Sequence, residues 1–281
     1  MMKNILLPTD FSENAWNAIE YALKLFKDDE CTFHLLNTYT PAIVHSRFMA
    51  INTEGRLLED ACHSASVSGL ENLLIKLQGG HHNPKHYFNT ISSFNLLTEE
   101  IKEAIEVRNI DMIITGTKGA SGLKEIFLGS NTVRIIKSNL PCPVLVVPEN
   151  FKFERPREIA LVTDFMRNFD ASIIEPLKQT AIQLEARVRI MRINETEELS
   201  KYQKSNLSTL EDYLSEIPTS VHWMPYFASK AHVIQSFIEE LGIDLLAMVY
   251  HRHGFLGELT REPVIKNLAF HSKIPLLVIP G

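Results

Sequence analysis

The chain has 281 residues, 45% of them hydrophobic and 22% charged, with a formal charge of −6. That length suits two domains, each able to bury its own core, and that composition excludes a chain disordered throughout. No cluster of Lys and Arg stands out of the kind a phosphate backbone demands, so a nucleic-acid partner is not expected. Met1-Met2-Lys3-Asn4-Ile5 runs straight into an apolar run without the regions of a signal peptide, and no apolar stretch of about 18 residues is present to span a bilayer. A cytoplasmic location without a membrane partner is the expectation. Cys31, Cys62 and Cys142 include no close pair, so they read as buried or half-buried thiols and not as a metal or disulfide framework.

In chain order, Lys3 to Leu7 reads as a strand and Asn14 to Phe26 as an amphipathic helix, with Ser12 as its cap. Thr32 to Leu36 is a second strand. Arg56 to Leu77 carries a helical period interrupted only at Ser66-Val67-Ser68-Gly69, where Gly69 weakens the helix but need not end it; Gly79 to Pro84 predicts a turn, and His86 to Thr90 a third strand. His81, His82 and His86 have no local Cys, Asp or Glu to complete a metal set, and the Gly/Asn/Pro-flanked pair His81-His82 reads as solvated loop. Asn95 to Val107 is the third helix.

Ile110 to Thr115 is a short, nearly continuous apolar run, the pattern of a parallel strand buried on both faces. Gly116-Thr117-Lys118-Gly119 ends it, and after nine intervening residues come Gly129 and Ser130. Gly116 and Gly119 permit φ > 0 and leave no Cβ between a ligand and the main-chain N–H groups. Gly129-Ser130-Asn131-Thr132 opens a helix in which Ser130 can cap and the positive dipole end can hold an anion. The stretch reads as a phosphate cradle. Pro143 to Val147 is the fifth strand.

Alternating strands and helices imply a parallel, doubly wound α/β sheet with right-handed crossovers. The carboxyl ends of the first and fourth strands then flank the switch point where ligands bind, which brings Asp10 to Gly116. Asp10 suits a ribose or adenine contact; an ordinary carboxylate near a helix start is the competing account. Lys118 either adds charge to the cradle or is a solvated loop lysine.

Residues 149–157 break the alternation, and the chain starts again. Ile159-Ala160-Leu161-Val162-Thr163-Asp164-Phe165 repeats Ile5-Leu6-Leu7-Pro8-Thr9-Asp10-Phe11, and Ile274 to Pro280 repeats Cys142 to Pro148, as an internal duplication would. The second copy loses the cradle. Val249-Tyr250-His251-Arg252-His253-Gly254 replaces the first glycines, Gly257 keeps one spacing, and Asn267-Leu268 stands where Gly-Ser is required. Counting back from the last strand sets Arg261-Glu262-Pro263 opposite Gly129-Ser130-Asn131, and a Glu at a helix mouth repels phosphate. His251, Arg252 and His253 read as a solvated basic turn or a site for another anion.

The spacing Gly-x2-Gly-x9-Gly-Ser after a buried strand, together with the opening Asn4-Ile5-Leu6-Leu7-Pro8-Thr9-Asp10-Phe11-Ser12, resembles the signature of the ATP-binding universal stress proteins. The resemblance implies two tandem, doubly wound, parallel five-stranded α/β domains similar to the adenine nucleotide alpha hydrolases. Residues 1–148 form the nucleotide-motif domain, 149–157 the connector and 158–281 the degenerate domain. It implies ATP, accompanied by Mg, at Pro8, Thr9 and Asp10 on the nucleoside side. Thr115, Gly116, Lys118, Gly119, Gly129, Ser130, Asn131 and Thr132 would surround ribose and phosphates. It further implies pairing of the two domains through their fifth strands within one chain, with whole chains left able to form a homodimer. A slow ATP hydrolase and a ligand-free interaction module are the alternatives on the same fold; Asp10 is the one obvious local carboxylate, so efficient catalysis is not expected. A P-loop or a dinucleotide site fits neither the glycine loop nor the first turn.

Overall fold

The computed structural model describes residues 2–39, 53–117, 129–194, 198–227, 229–250 and 274–281. The first half contains β1 (Lys3–Pro8), α1 (Glu13–Leu25), β2 (Cys31–Thr38), α2 (Thr53–Gly80) and β3 (His86–Ser93). It continues with α3 (Leu97–Arg108), β4 (Met112–Gly116), α4 (Ser130–Lys137) and β5 (Val144–Val147). The second half contains β6 (Glu158–Val162), α5 (Ala171–Leu184), β7 (Arg187–Asn194) and α6 (Lys201–Tyr213). It ends with β8 (Thr219–Pro225), α7 (Lys230–Leu241), β9 (Leu245–Tyr250) and β10 (Leu276–Pro280). No helix among the described residues is long and apolar enough to cross a membrane.

Within each half the strands pair in parallel, in the orders β3-β2-β1-β4-β5 and β8-β7-β6-β9-β10. This is the doubly wound pattern that alternation predicts. The halves then join: β5 and β10 run antiparallel, with Val146 opposite Leu276, Leu145 opposite Leu277 and Val144 opposite Val278. Two five-stranded sheets become one of ten strands. All four residues of β5 are buried, so leaving it as an open edge would expose apolar surface and unpaired backbone groups.

Strand alternation sorts the core into two layers. Ile5 and Leu7 join α1, α2, α5 and α6 on one face, while Leu6 joins α3, α4 and α7 on the other. Each layer runs through both halves. The connector adds to the first: Phe151 and Phe153 pack on buried Tyr21 of α1 with ring centroids 6.0 and 5.1 Å away. Arg155 donates to the carbonyls of Gln183 and Leu184, two acceptors that the end of α5 leaves without helical partners. Lys3 ties the halves again, donating to Gln183 Oε1 at 2.7 Å and pairing with Asp29 at 3.1 Å.

One local expectation is corrected. Helix α2 runs unbroken through Ser66–Gly69, as a glycine that need not end a helix allows, but it also takes in Gly79 and Gly80, where a turn is expected, and His81 N–H still donates to the Leu77 carbonyl at 2.8 Å. Gly69 is there for packing, since a Cβ at this position would lie 2.5 Å from two ring carbons of Phe11. His86 opens β3 as the strand reading expects, with its Nε2 3.1 Å from the Phe26 carbonyl oxygen. Cys31 and Cys142 are buried, and burial pushes both thiols up to about 12, so they stay protonated; Cys62 is half-buried.

Candidate functional site

The turn after β1 is built from its own side chains. Thr9 N–H donates to the Leu36 carbonyl at 2.8 Å, Thr9 Oγ1 accepts from Phe11 N–H at 3.0 Å, and Asp10 Oδ1 accepts from Ser12 N–H at 3.1 Å. Phe11 takes the left-handed conformation, φ 65°, which these two short bonds and the notch at Gly69 hold in place. Ser12 caps α1 as expected, its Oγ accepting from Ala15 N–H at 3.2 Å. Asn37, at the end of β2, donates from Nδ2 to the Thr9 carbonyl at 2.7 Å. The turn is clamped on both sides.

Across the switch point, the end of β4 meets the start of α4. Thr132 Oγ1 donates to the Gly116 carbonyl at 2.8 Å, Thr117 N–H donates to the Val147 carbonyl at 3.1 Å, and Gly129 N–H donates to the Thr117 carbonyl. Gly129 is the N-cap and Ser130 the first helical residue, so the capping role expected of Ser130 is corrected: no side chain caps this end. The N–H groups of Ser130, Asn131 and Thr132 sit in the first turn, where a helix offers them no acceptor. That turn has no acidic residue and the last turn carries Arg134 and Lys137, so both ends complement the helix dipole and the amino end favours an anion.

A cavity of ≈ 300 Å³ lies between these two elements. Its walls include Pro8, Thr9 and Asp10 from the first turn and Thr115, Gly129, Ser130, Asn131 and Thr132 from the second. Eight of the eleven expected site residues thus meet in one place. Lys118 and Gly119 lie outside the described residues. Gly116 is not on the wall and has no positive φ: a Cβ there would come within 2.6 Å of Asn14 Nδ2 and 2.9 Å of the Asn14 carbonyl oxygen, so its bareness admits α1 and not a ligand. Ala15, Asn37, Thr38, Leu97 and Ile135 complete the lining and were missed. The polar pair Asn37-Thr38, closing a buried strand next to β1, was the available signal.

The family model for the "Universal stress protein family" matches residues 1–148 and again 175–280. The chain belongs to the universal stress protein family. Universal stress protein MJ0531 of Methanocaldococcus jannaschii is 29% identical over 149 residues, covering 52% of this chain and 82% of its own. Universal stress protein MJ0577 of the same organism is 30% identical over 157 residues, covering 52% and 95%. These relatives match about half of the present chain, which fits a doubled domain. A crystal structure of a universal stress protein from Archaeoglobus fulgidus superposes over 98% of this chain and 95% of its own, with a TM-score of 0.72 at 19% identity, and so shares the fold.

The second domain of this universal stress protein keeps the turn and changes its surroundings. Thr163 Oγ1 accepts from Phe165 N–H at 3.1 Å, Asp164 Oδ1 accepts from Met166 N–H at 2.8 Å, and Phe165 has φ 59°. Gln203 and Asn206 of α6 donate to the carbonyls of Asp164 and Phe165, each at 2.8 Å. Strand register sets Arg192 where the first domain has Asn37 and Trp223 where it has Ser92. Arg192 is buried, with its guanidinium carbon 5.7 Å from the Trp223 ring centroid. His251 to Gly257, Glu262 and Asn267-Leu268 lie outside the described residues.

Proposed function

We propose that this universal stress protein binds ATP in its first domain and serves as a cytoplasmic stress-response or regulatory protein, with its second domain a built-in partner that holds no nucleotide. One observation carries the reading: Asp10 and Ser130, distant in sequence, line a single cavity at the switch point of a doubly wound sheet, beside the unacidic first turn of a helix. Thr9 and Asp10 would meet the nucleoside, and Ser130, Asn131 and Thr132 the phosphates, with Lys118 and Gly119 completing the cradle. Among the described residues no group of three or more His, Cys, Asp or Glu is placed to hold a metal. Mg would therefore arrive on the phosphates and keep much of its water. Asp10 is the only carboxylate on the described lining and its Oδ1 already accepts from Ser12, so no general base is assigned and the nucleotide acts by occupancy.

Pairing through β5 and β10 is used up within the chain, so a homodimer of whole chains would form through another surface. Native mass spectrometry of the full chain with ATP and Mg tests the proposal. One ATP per chain, lost in Gly129→Glu, is the expected result; two per chain, or none, defeats it.

A further inference from the structure

The order of the strands gives the cavity a direction. Helix α4 and β4 lie on one side of β1 and β2 on the other, so a ligand whose phosphates sit at Ser130–Thr132 points its opposite end at Asn37 and Thr38. Leu97 from α3 adds an apolar surface on the lining. A polar wall with one apolar face suits a flat, hydrogen-bonding ring.

The Asn37 carboxamide has only one orientation open to it. Its partner at 2.7 Å is the Thr9 carbonyl, which can only accept, so the nitrogen must face Thr9 and the oxygen must face away. Asn37 Oδ1 accepts no hydrogen bond among the described residues and is not sealed from solvent, while the residue itself lines the cavity and is 9% exposed. A clamped acceptor therefore stands at the end of the cavity away from the phosphates. The same position in the second domain holds Arg192, whose side chain has donors only.

We infer that Asn37 sets the base preference of the first domain: its Oδ1 accepts a hydrogen bond from the exocyclic amino group of adenine and disfavours a purine with an oxygen at that position. This rests on the reading of the cavity as a nucleotide site. An oxo group there sets two acceptors against each other and leaves both unsatisfied, which costs more than the hydrogen bond gained with adenine. Asn37 also holds the Thr9 turn, so replacing it weakens every nucleotide; only the ratio between nucleotides reports on base reading.

The test is isothermal titration of the full chain with ATP, inosine triphosphate and 2′-deoxyATP in Mg buffer. Inosine triphosphate is expected to bind about tenfold or more weakly than ATP, and the ratio of ATP to 2′-deoxyATP affinity to be the same in the wild type and in Asn37→Ala. In Asn37→Ala the ratio of ATP to inosine triphosphate affinity is expected to fall to within about threefold, whatever happens to the absolute values. Equal wild-type affinities for the two purines overturn the inference while leaving ATP binding intact. A wild-type preference for ATP over 2′-deoxyATP that disappears in Asn37→Ala, with the two purines bound equally, assigns the acceptor to ribose and overturns it as well. No binding of any of the three removes the nucleotide site itself, and the inference with it.

Discussion

The two domains use one plan but fill it with different chemistry. In both, an Asp just before a central strand accepts from backbone N–H groups at the start of its neighbour: Asp111 from Asn4 at 2.7 Å, and Asp244 from Arg157 and Glu158 at 2.7 and 2.9 Å. Both also keep the Thr-Asp-Phe turn with its left-handed Phe. Elsewhere they part. His34 Nε2 meets Asn4 Oδ1 at 3.2 Å in the first domain, whereas register puts Arg189 and Glu158 in those places in the second, joined at 2.7 Å as an ion pair. Val249 stands where Gly116 does, and β6 leads into α5 through residues 163–170 where β1 reaches α1 through 9–12. Side chains that satisfy backbone groups are kept because the backbone's demands do not change; those that shape the cavity, or pair only with each other, are free to diverge together.

The largest effect separating the domains is expected in acid. His34 is buried, its Nδ1 has no partner among the described residues, and burial lowers its pKa to about 4, with Arg108 adding repulsion. The folded pKa lies below the unfolded value, so the unfolded chain binds the extra proton: stability from this group is complete above about pH 6.5 and is lost as pH falls towards 4, on the order of 3 kcal/mol in all. His34→Gln, which can still donate to Asn4, is expected to flatten urea-unfolding stability across that window. A wild-type slope in the variant would clear His34 of the role.

Gly129→Glu puts a carboxylate at the mouth of the first site, one position before Ser130, opposite which counting places Glu262. At φ −54° and ψ 147° the backbone conformation is open to any residue, so the thermal midpoint should barely move while ATP affinity drops about 100-fold, close to 3 kcal/mol, by calorimetry. Undiminished affinity would show that α4 does not hold the phosphates. Gly116→Ala should cost stability instead, about 2 kcal/mol in denaturant titration, because the Asn14 carbonyl oxygen cannot swing away from the new Cβ. Tolerance of Ala without loss would contradict the close seating of α1.

The smallest change lies in the second domain. Ser200 and Gln203 form a capping box, Ser200 Oγ accepting at 3.2 Å and Gln203 Oε1 at 3.0 Å, so Ser200→Ala should cost about 1 kcal/mol with ATP affinity unchanged. Coupled loss of ATP affinity would mean that the second domain contributes to binding after all.

Much of this was legible from residue order alone. Buried strands show as apolar runs, helices as a 3.6-residue period, and a duplicated domain as the same run written twice; alternation then places the switch point, where Asp10 and Ser130 converge. These are local signals, carried by neighbours in sequence. Tertiary structure alone decided why Gly116 and Gly69 lack side chains, since the atoms they make room for belong to Asn14 and Phe11. It also decided that β5 closes on β10 and that Asn37, Thr38 and Leu97 complete the cavity. Such facts are contacts between segments far apart in the chain, and a pattern that records only how buried each residue is cannot say against what it is buried.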